Sequence, residues 1–172
     1  MKPATLLIAT LFGFAAAAAS AQAPNDAQIA HIVVTANQVD IDAGKLAEKK
    51  GSSADVKAFG KQMVTDHTGV NKQASALAAK LKVKPEDNPT SQSLKSGGDK
   101  NVAHLKTLSG TAFDKAYVDN EVTYHQAVLD AIDKVLIPSA KNAELKGLIE
   151  KVRPAIDAHL QHAKMMQAKL GK

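Results

Sequence analysis

The chain has no cysteine and no tryptophan in its 172 residues, aromatics make up only 3%, and arginine occurs once, as Arg153. Without cysteine there are no disulfides, thiolate metal centres, cysteine nucleophiles or cysteine-borne lipid anchors, so stability has to come from packing. The scarcity of arginine and aromatics argues against nucleic acid, since phosphate and base recognition leans on the arginine fork and single-strand binding on stacked rings. The net charge of +5 comes from lysines spread along every segment. Lys80, Lys82 and Lys84 form one small basic cluster that suits an anionic surface or an envelope protein as partner, though lysines at a helix end also complement the helix dipole. H-E-x-x-H, G-x-S-x-G and phosphate-cradling glycine loops are all missing. The sequence therefore predicts no enzyme.

Long apolar runs are missing too, except one at the start. Met1-Lys2-Pro3 leads into an apolar stretch from Ala4 to Ala19 and then the small triplet Ala19-Ser20-Ala21, which is the order of a signal peptide. The stretch is alanine-rich and shorter than the roughly 20 strongly apolar residues a spanning helix prefers. Cutting after Ala23 would place Pro24 next to the scissile bond, so the expected cut is after Ala21. The expected product is an exported protein without a transmembrane segment, residues 22–172 forming one domain in the periplasm.

What remains is helical periodicity. Apolar residues recur at helical spacing in four long segments, and almost nowhere with the period of two that marks a strand. The first segment runs from about Asp26 to Lys50 and stops at Gly51. A second, opened by a capping-box spacing at Ser52 and Asp55, runs to about Leu81. From Val83 to Gly110 the texture changes to Pro85, Pro89, serines and Gly97-Gly98, which reads as a connection holding a short helix near Asp99 to Leu108. Thr111 and Asp114 have capping-box spacing for a third long helix to about Leu136, which Pro138 and Ser139 should end. The fourth reaches about Leu170 and should be kinked or divided at Pro154. The expectation is all-α: a four-helix bundle with a long crossover between helices 2 and 3, long enough to leave those two parallel as in ferritin-like bundles.

Polar residues that interrupt the apolar stripes are the informative ones. Asp40, His67, Glu121, His125 and His159 each fall where a core residue is expected, whereas His31 is out of phase with Asp40 and should be exposed, and His104 reads as surface or packing. Imidazole and carboxylate together suit zinc, iron, manganese and copper, so these five are candidate ligands of one divalent metal. The competing reading is a set of core-edge histidines hydrogen-bonded to carboxylates, with Asp66 orienting one of them from outside. A di-iron centre needs Glu-x-x-His pairs, yet Val64, Val122 and Ile156 stand three residues before the histidines. Levels counted from the hairpin turns differ by roughly 7–10 Å at 1.5 Å per residue, which predicts that only a subset binds together. Met63 with His67, and His162 with Met165 and Met166, offer sulfur for cuprous copper, although methionine on a stripe is usually filler.

Asp40 to Ala47 (D-I-D-A-G-K-L-A), Met63 to His67 (M-V-T-D-H), Leu108 to Tyr117 (L-S-G-T-A-F-D-K-A-Y), His125 and Pro154 to Ala163 (P-A-I-D-A-H-L-Q-H-A), together with the leader, carry a family likeness. In this order they resemble the exported bacterial family called domain of unknown function 4142, whose members are labelled predicted outer-membrane proteins and placed among ferritin-like folds. The resemblance implies a ferritin-like bundle in a Gram-negative envelope and no established activity. The family's first-helix glutamate is Asp40 here. No alternating barrel strands support the outer-membrane label, so the expectation is a periplasmic interaction or stress-related protein, or alternatively a binding protein holding one divalent metal or small ligand.

Overall fold

The computed structural model describes residues 23–171. The expected leader and its cut after Ala21 lie outside them. Among the described residues every regular element is helical: α1 Asp26–Lys50, α2 Ala54–Leu81, α3 Pro89–Thr107, α4 Gly110–Ala131 and α5 Ala143–Leu170. A π-helical turn, Ile132–Leu136, and a short helical turn, Ile137–Ser139, extend α4. No described helix is long and apolar enough to cross a membrane.

Local chemistry sets the helix ends. Asn25 caps α1 reciprocally with Gln28, its side chain accepting from the Gln28 N–H at 2.9 Å and its own N–H donating to Gln28 Oε1 at 3.1 Å. At the other end the Gly51 N–H closes onto Ala47 O at 2.8 Å. Ser53, not Ser52, caps α2 by accepting from the Val56 N–H. The spacing of Thr111 and Asp114 is not a capping box either. Asp114 is 1% exposed and reaches across to the α1–α2 turn, accepting from the Ser52 N–H at 2.8 Å, the Ser52 hydroxyl at 2.6 Å and the Ser53 N–H at 2.8 Å. Three bonds to one buried carboxylate are of the stronger, charge-assisted kind, and deleting their acceptor strands two backbone donors. Asp114→Ala should therefore cost about 2 kcal/mol, readable as a lower denaturant midpoint with an unchanged slope.

The crossover holds a long helix where a short one is expected. Pro89 suits the first helical position, where its missing N–H is not needed, and Asn88 caps the helix reciprocally with Ser91. Gly97 and Gly98 are buried inside α3 rather than breaking it, because a Cβ at Gly98 would lie 2.7 Å from the Val39 side chain. Gly98 lets α3 press against α1. Pro138 does not end α4 at once, since the helix passes through the π turn to Ser139, and Asn142 caps α5. Pro154 lies within α5 without dividing it.

Contacts at the helix ends fix the directions. The loop before α3 meets the start of α1 through Glu86 N–H to Ala27 O at 3.0 Å. At the far end of α3, Lys50 Nζ donates to the carbonyls of Lys106 at 2.8 Å and Leu108 at 2.7 Å. So α3 runs parallel to α1 and carries the chain back along the helical assembly. Asp114 places the start of α4 beside the start of α2, and Asp26 accepts from the N–H groups of Lys141 and Asn142 at the other end. Helices α2 and α4 thus run the same way, and α5 returns antiparallel to both, with Glu144 beside Lys80 and Lys169 beside Asp55.

Two apolar clusters result. One gathers Ala43, Ala47, Phe59, Met63, Phe113, Tyr117 and Ala163 toward the α1–α2 turn. The other gathers Ile29, Ile32, Leu129, Leu145, Ile149 and Leu160 toward the opposite end. Asn37, Asp40, His67, Glu121, His125 and His159 lie between them, all at most 6% exposed. The fold wraps a polar layer in hydrocarbon.

Candidate metal centre

Each expected ligand comes from the middle of a long helix: Asp40 from α1, His67 from α2, Glu121 and His125 from α4, and His159 from α5. The five are gathered into one polar layer as two triads that share His125, closer together than the levels counted from the turns suggest. His67 Nε2 lies 2.8 Å and His125 Nε2 3.3 Å from Asp40 Oδ2, and His125 Nδ1 is 3.4 Å from Glu121 Oε2. The three imidazole rings stand 5.4–5.8 Å apart, centre to centre. Two physical reasons close the gap. Helical side chains lean toward the N-terminus of their own helix, so Asp40 leans away from the α1–α2 turn and His67 toward it. On the other hairpin, the connection to α5 is formed by residues 140–142 rather than Pro138 and Ser139, and the π turn takes up length in α4.

The protons on the imidazoles follow from their outward partners. Asn37 Nδ2 donates to Val33 O at 2.8 Å, which turns Asn37 Oδ1 toward His67 Nδ1 at 2.6 Å. His125 Nδ1 meets the Glu121 carbonyl at 3.0 Å, and His159 Nε2 meets Asp66 Oδ2 at 3.0 Å. A carbonyl or carboxylate oxygen only accepts, so each of these nitrogens carries the hydrogen. The lone pairs then sit on His67 Nε2, His125 Nε2 and His159 Nδ1. These three atoms, with both oxygens of Asp40 and of Glu121, are buried without a hydrogen-bond partner. Despite the 2.8 Å approach of His67 Nε2 to Asp40, the contact does not have hydrogen-bond direction.

Fixing an imidazole through its far nitrogen is what partners of metal-binding histidines do, because it sets the tautomer and raises ligand basicity. One ligand atom from each of His67, His125 and His159 lies within 4.8 Å of the others, and the same holds for Asp40, Glu121 and His125. Ligands of one ion held at about 2.0–2.2 Å stand roughly 3–4 Å apart. A contraction of under about 1 Å would bring each set onto a common centre. His125 belongs to both sets and joins them into one donor cage.

Electrostatics favour a cation there. Burial alone pushes the Asp40 carboxyl up, but His125 and His67 outweigh it and hold the group well below the usual carboxylate range. Burial pushes Glu121 well up, toward its protonated form, and the charge of Asp40 pushes the same way. Burial lowers His125, reinforced by His67 and His159 and opposed by Asp40. It lowers His159 too, against the pull of Asp66. Burial, Glu121 and Asp40 likewise raise the phenols of Tyr117 and Tyr124 well above their ordinary value. Metal ligation needs deprotonated donors: the lowering of His125 and His159 works toward that state, whereas Glu121 would have to release its proton to a bound ion.

Other sequence candidates lie elsewhere. His31 is half-buried rather than exposed, 3.8 Å from Asp87, and His104 is on the surface. His162 packs edge-on against Phe59, and Met165 is 60% exposed, so the His162-Met165-Met166 grouping gathers no sulfur centre. Lys80 pairs with Glu144 rather than presenting a free cluster with its neighbours. Asn37 was the residue not singled out from sequence. Its signal was present, since it stands three residues before Asp40 on the same stripe.

Searches of the curated proteins and of the solved structures found no match. The family model described as "Domain of unknown function (DUF4142)" matches residues 13–166. With nearly all of the chain matched, the protein belongs to the DUF4142 family.

Proposed function

We propose that this protein binds one divalent first-row transition cation in the polar layer between α1, α2, α4 and α5, using His67, His125, His159, Asp40 and Glu121. The carrying observation is the set of three inward lone pairs, each forced by an outward hydrogen-bond partner, facing two buried carboxylates without hydrogen-bond partners. Burying such groups unpaired costs several kcal/mol. A divalent cation would draw the three lone pairs and an oxygen of Asp40 or Glu121 into one shell, with carboxylate charge offsetting its own.

The donor set narrows the ion. Calcium and magnesium prefer all-oxygen shells, and cuprous copper prefers sulfur. Three imidazoles with carboxylate oxygens suit zinc, manganese, iron or cobalt. In the same reading the protein is exported to the periplasm, as its leader pattern suggests, and α1, α2, α4 and α5 form a ferritin-like four-helix bundle with α3 in the long crossover. The parallel course of α2 and α4 supports that arrangement.

Calorimetric titration of protein without a histidine tag tests the binding. Zinc or manganese should saturate at one equivalent, tighter than about 10 μM, roughly 7 kcal/mol on the affinity scale. Lack of saturable binding with every ion of this class would leave a hydrogen-bonded core and the envelope-interaction reading.

A further inference from the structure

All four seams around the polar layer carry bridging contacts. Between α1 and α2 the backbones touch at Gly44 and Gly60, where a Cβ on either would lie under 3.0 Å from the other's carbonyl oxygen. Between α1 and α4 the Tyr124 hydroxyl donates to Ala36 O at 2.8 Å. Between α4 and α5, Arg153 pairs with Asp133 through two 2.6 Å bonds, and Gln167 donates to Asp119 at 2.8 Å.

The α2–α5 seam is bridged toward its ends by Lys80–Glu144 and Lys169–Asp55 and is distinctive only at the level of the site. It is crossed at the level of the site by the His159–Asp66 contact, and Asp66 is 42% exposed, while His159 is 4% exposed. The partners of the other two histidines are the buried Asn37 side chain, itself tied to Val33 O, and a helix carbonyl. His159 is thus the one imidazole of the site whose outward partner is a solvent-exposed side chain.

The geometry points to His159 as a swinging gate for the cation, with Asp66 as the positioning residue that latches it shut. This rests on the metal-binding reading above. When Asp66 holds Nε2–H, His159 keeps Nδ1 directed inward. When Asp66 lets go, the imidazole can rotate outward along the α2–α5 seam and carry or admit the ion. A latch of this kind changes how often the gate opens, so it acts on uptake and release together. A residue that only strengthens a ligand acts on release alone.

Stopped-flow zinc uptake, and zinc release to excess fluorescent chelator, separate these cases in tag-free full-length protein. Asp66→Ala should speed uptake by about 10-fold and release by more, because losing an outer partner of a ligand also lowers affinity by about 10-fold. Asp66→Asn keeps an acceptor for Nε2–H and should stay near the parent in both. Faster release with unchanged uptake, or no change in either rate, would overturn the gate while leaving the metal site standing. Failure of the parent to take up zinc, manganese, iron or cobalt would overturn the site and the gate with it.

Discussion

His125→Ala should abolish tight metal binding and with it the thermal stabilisation that metal gives the parent protein. His125 Nε2 stands 3.3 Å from Asp40 Oδ2, and the residue takes part in both ligand groups, one with His67 and His159, the other with Asp40 and Glu121. Its loss splits the cage into halves. Outer partners of metal ligands are worth about 10–100-fold in affinity, so a shared direct ligand should cost at least about 100-fold. Metal at a hundred times its Kd stabilises a binding protein by about 2.7 kcal/mol, which for a chain of this size is about 5–10 °C in Tm. Zinc should raise the Tm of the parent by that amount and leave His125→Ala unmoved. Equal shifts for both proteins would show that the ion binds elsewhere.

The second large effect concerns the close approach of α1 and α2. A Cβ at Gly60 would lie 2.7 Å from Gly44 O, 2.8 Å from the Ala47 Cβ and 2.9 Å from the Glu48 N. Two of these are backbone atoms that cannot rotate away, so the helices would have to separate. Gly60→Val should cost on the order of 3–5 kcal/mol, since overpacking against fixed atoms exceeds any gain in helix propensity. Because Asp40 and His67 flank the same interface, metal affinity should fall too. Gly69 provides the control: it lies in the same helix with nothing within 4 Å of an added Cβ, so Gly69→Ala should stabilise by about 0.5–1 kcal/mol. Chemical denaturation of both variants reads the opposite signs. Similar destabilisation in the two would mean that the glycines matter only through helix propensity.

Much of this was legible in the residues. The extents of α1 and α2 follow from Gly51 and the apolar spacing, both local signals. The buried polar layer was legible for a related reason: a charged or imidazole side chain on an apolar stripe has to be satisfied, and Asp40, His67, Glu121, His125 and His159 are each such an interruption. Helix α3 was underread because Gly97-Gly98 looks like a break in sequence, while its purpose, admitting Val39 of α1, exists only in the packed structure. The convergence of all five residues was not legible either. It depends on side-chain lean, on the π turn in α4 and on the true position of the α4–α5 connection, none of which periodicity encodes. Asp114 shows the same limit, since its spacing from Thr111 suggests a local cap while its partners, Ser52 and Ser53, lie on another helix connection.

The central claim is that one cation sits among three histidines whose inward nitrogens are fixed by outward partners. Anomalous diffraction from crystals of tag-free protein loaded with zinc, measured at the zinc edge, tests this most directly. The account predicts a single strong peak at about 2.0–2.1 Å from His67 Nε2, His125 Nε2 and His159 Nδ1, with Asp40 or Glu121 completing the coordination. A cluster without a peak in zinc-saturated crystals, or a peak held only by surface residues, would contradict it.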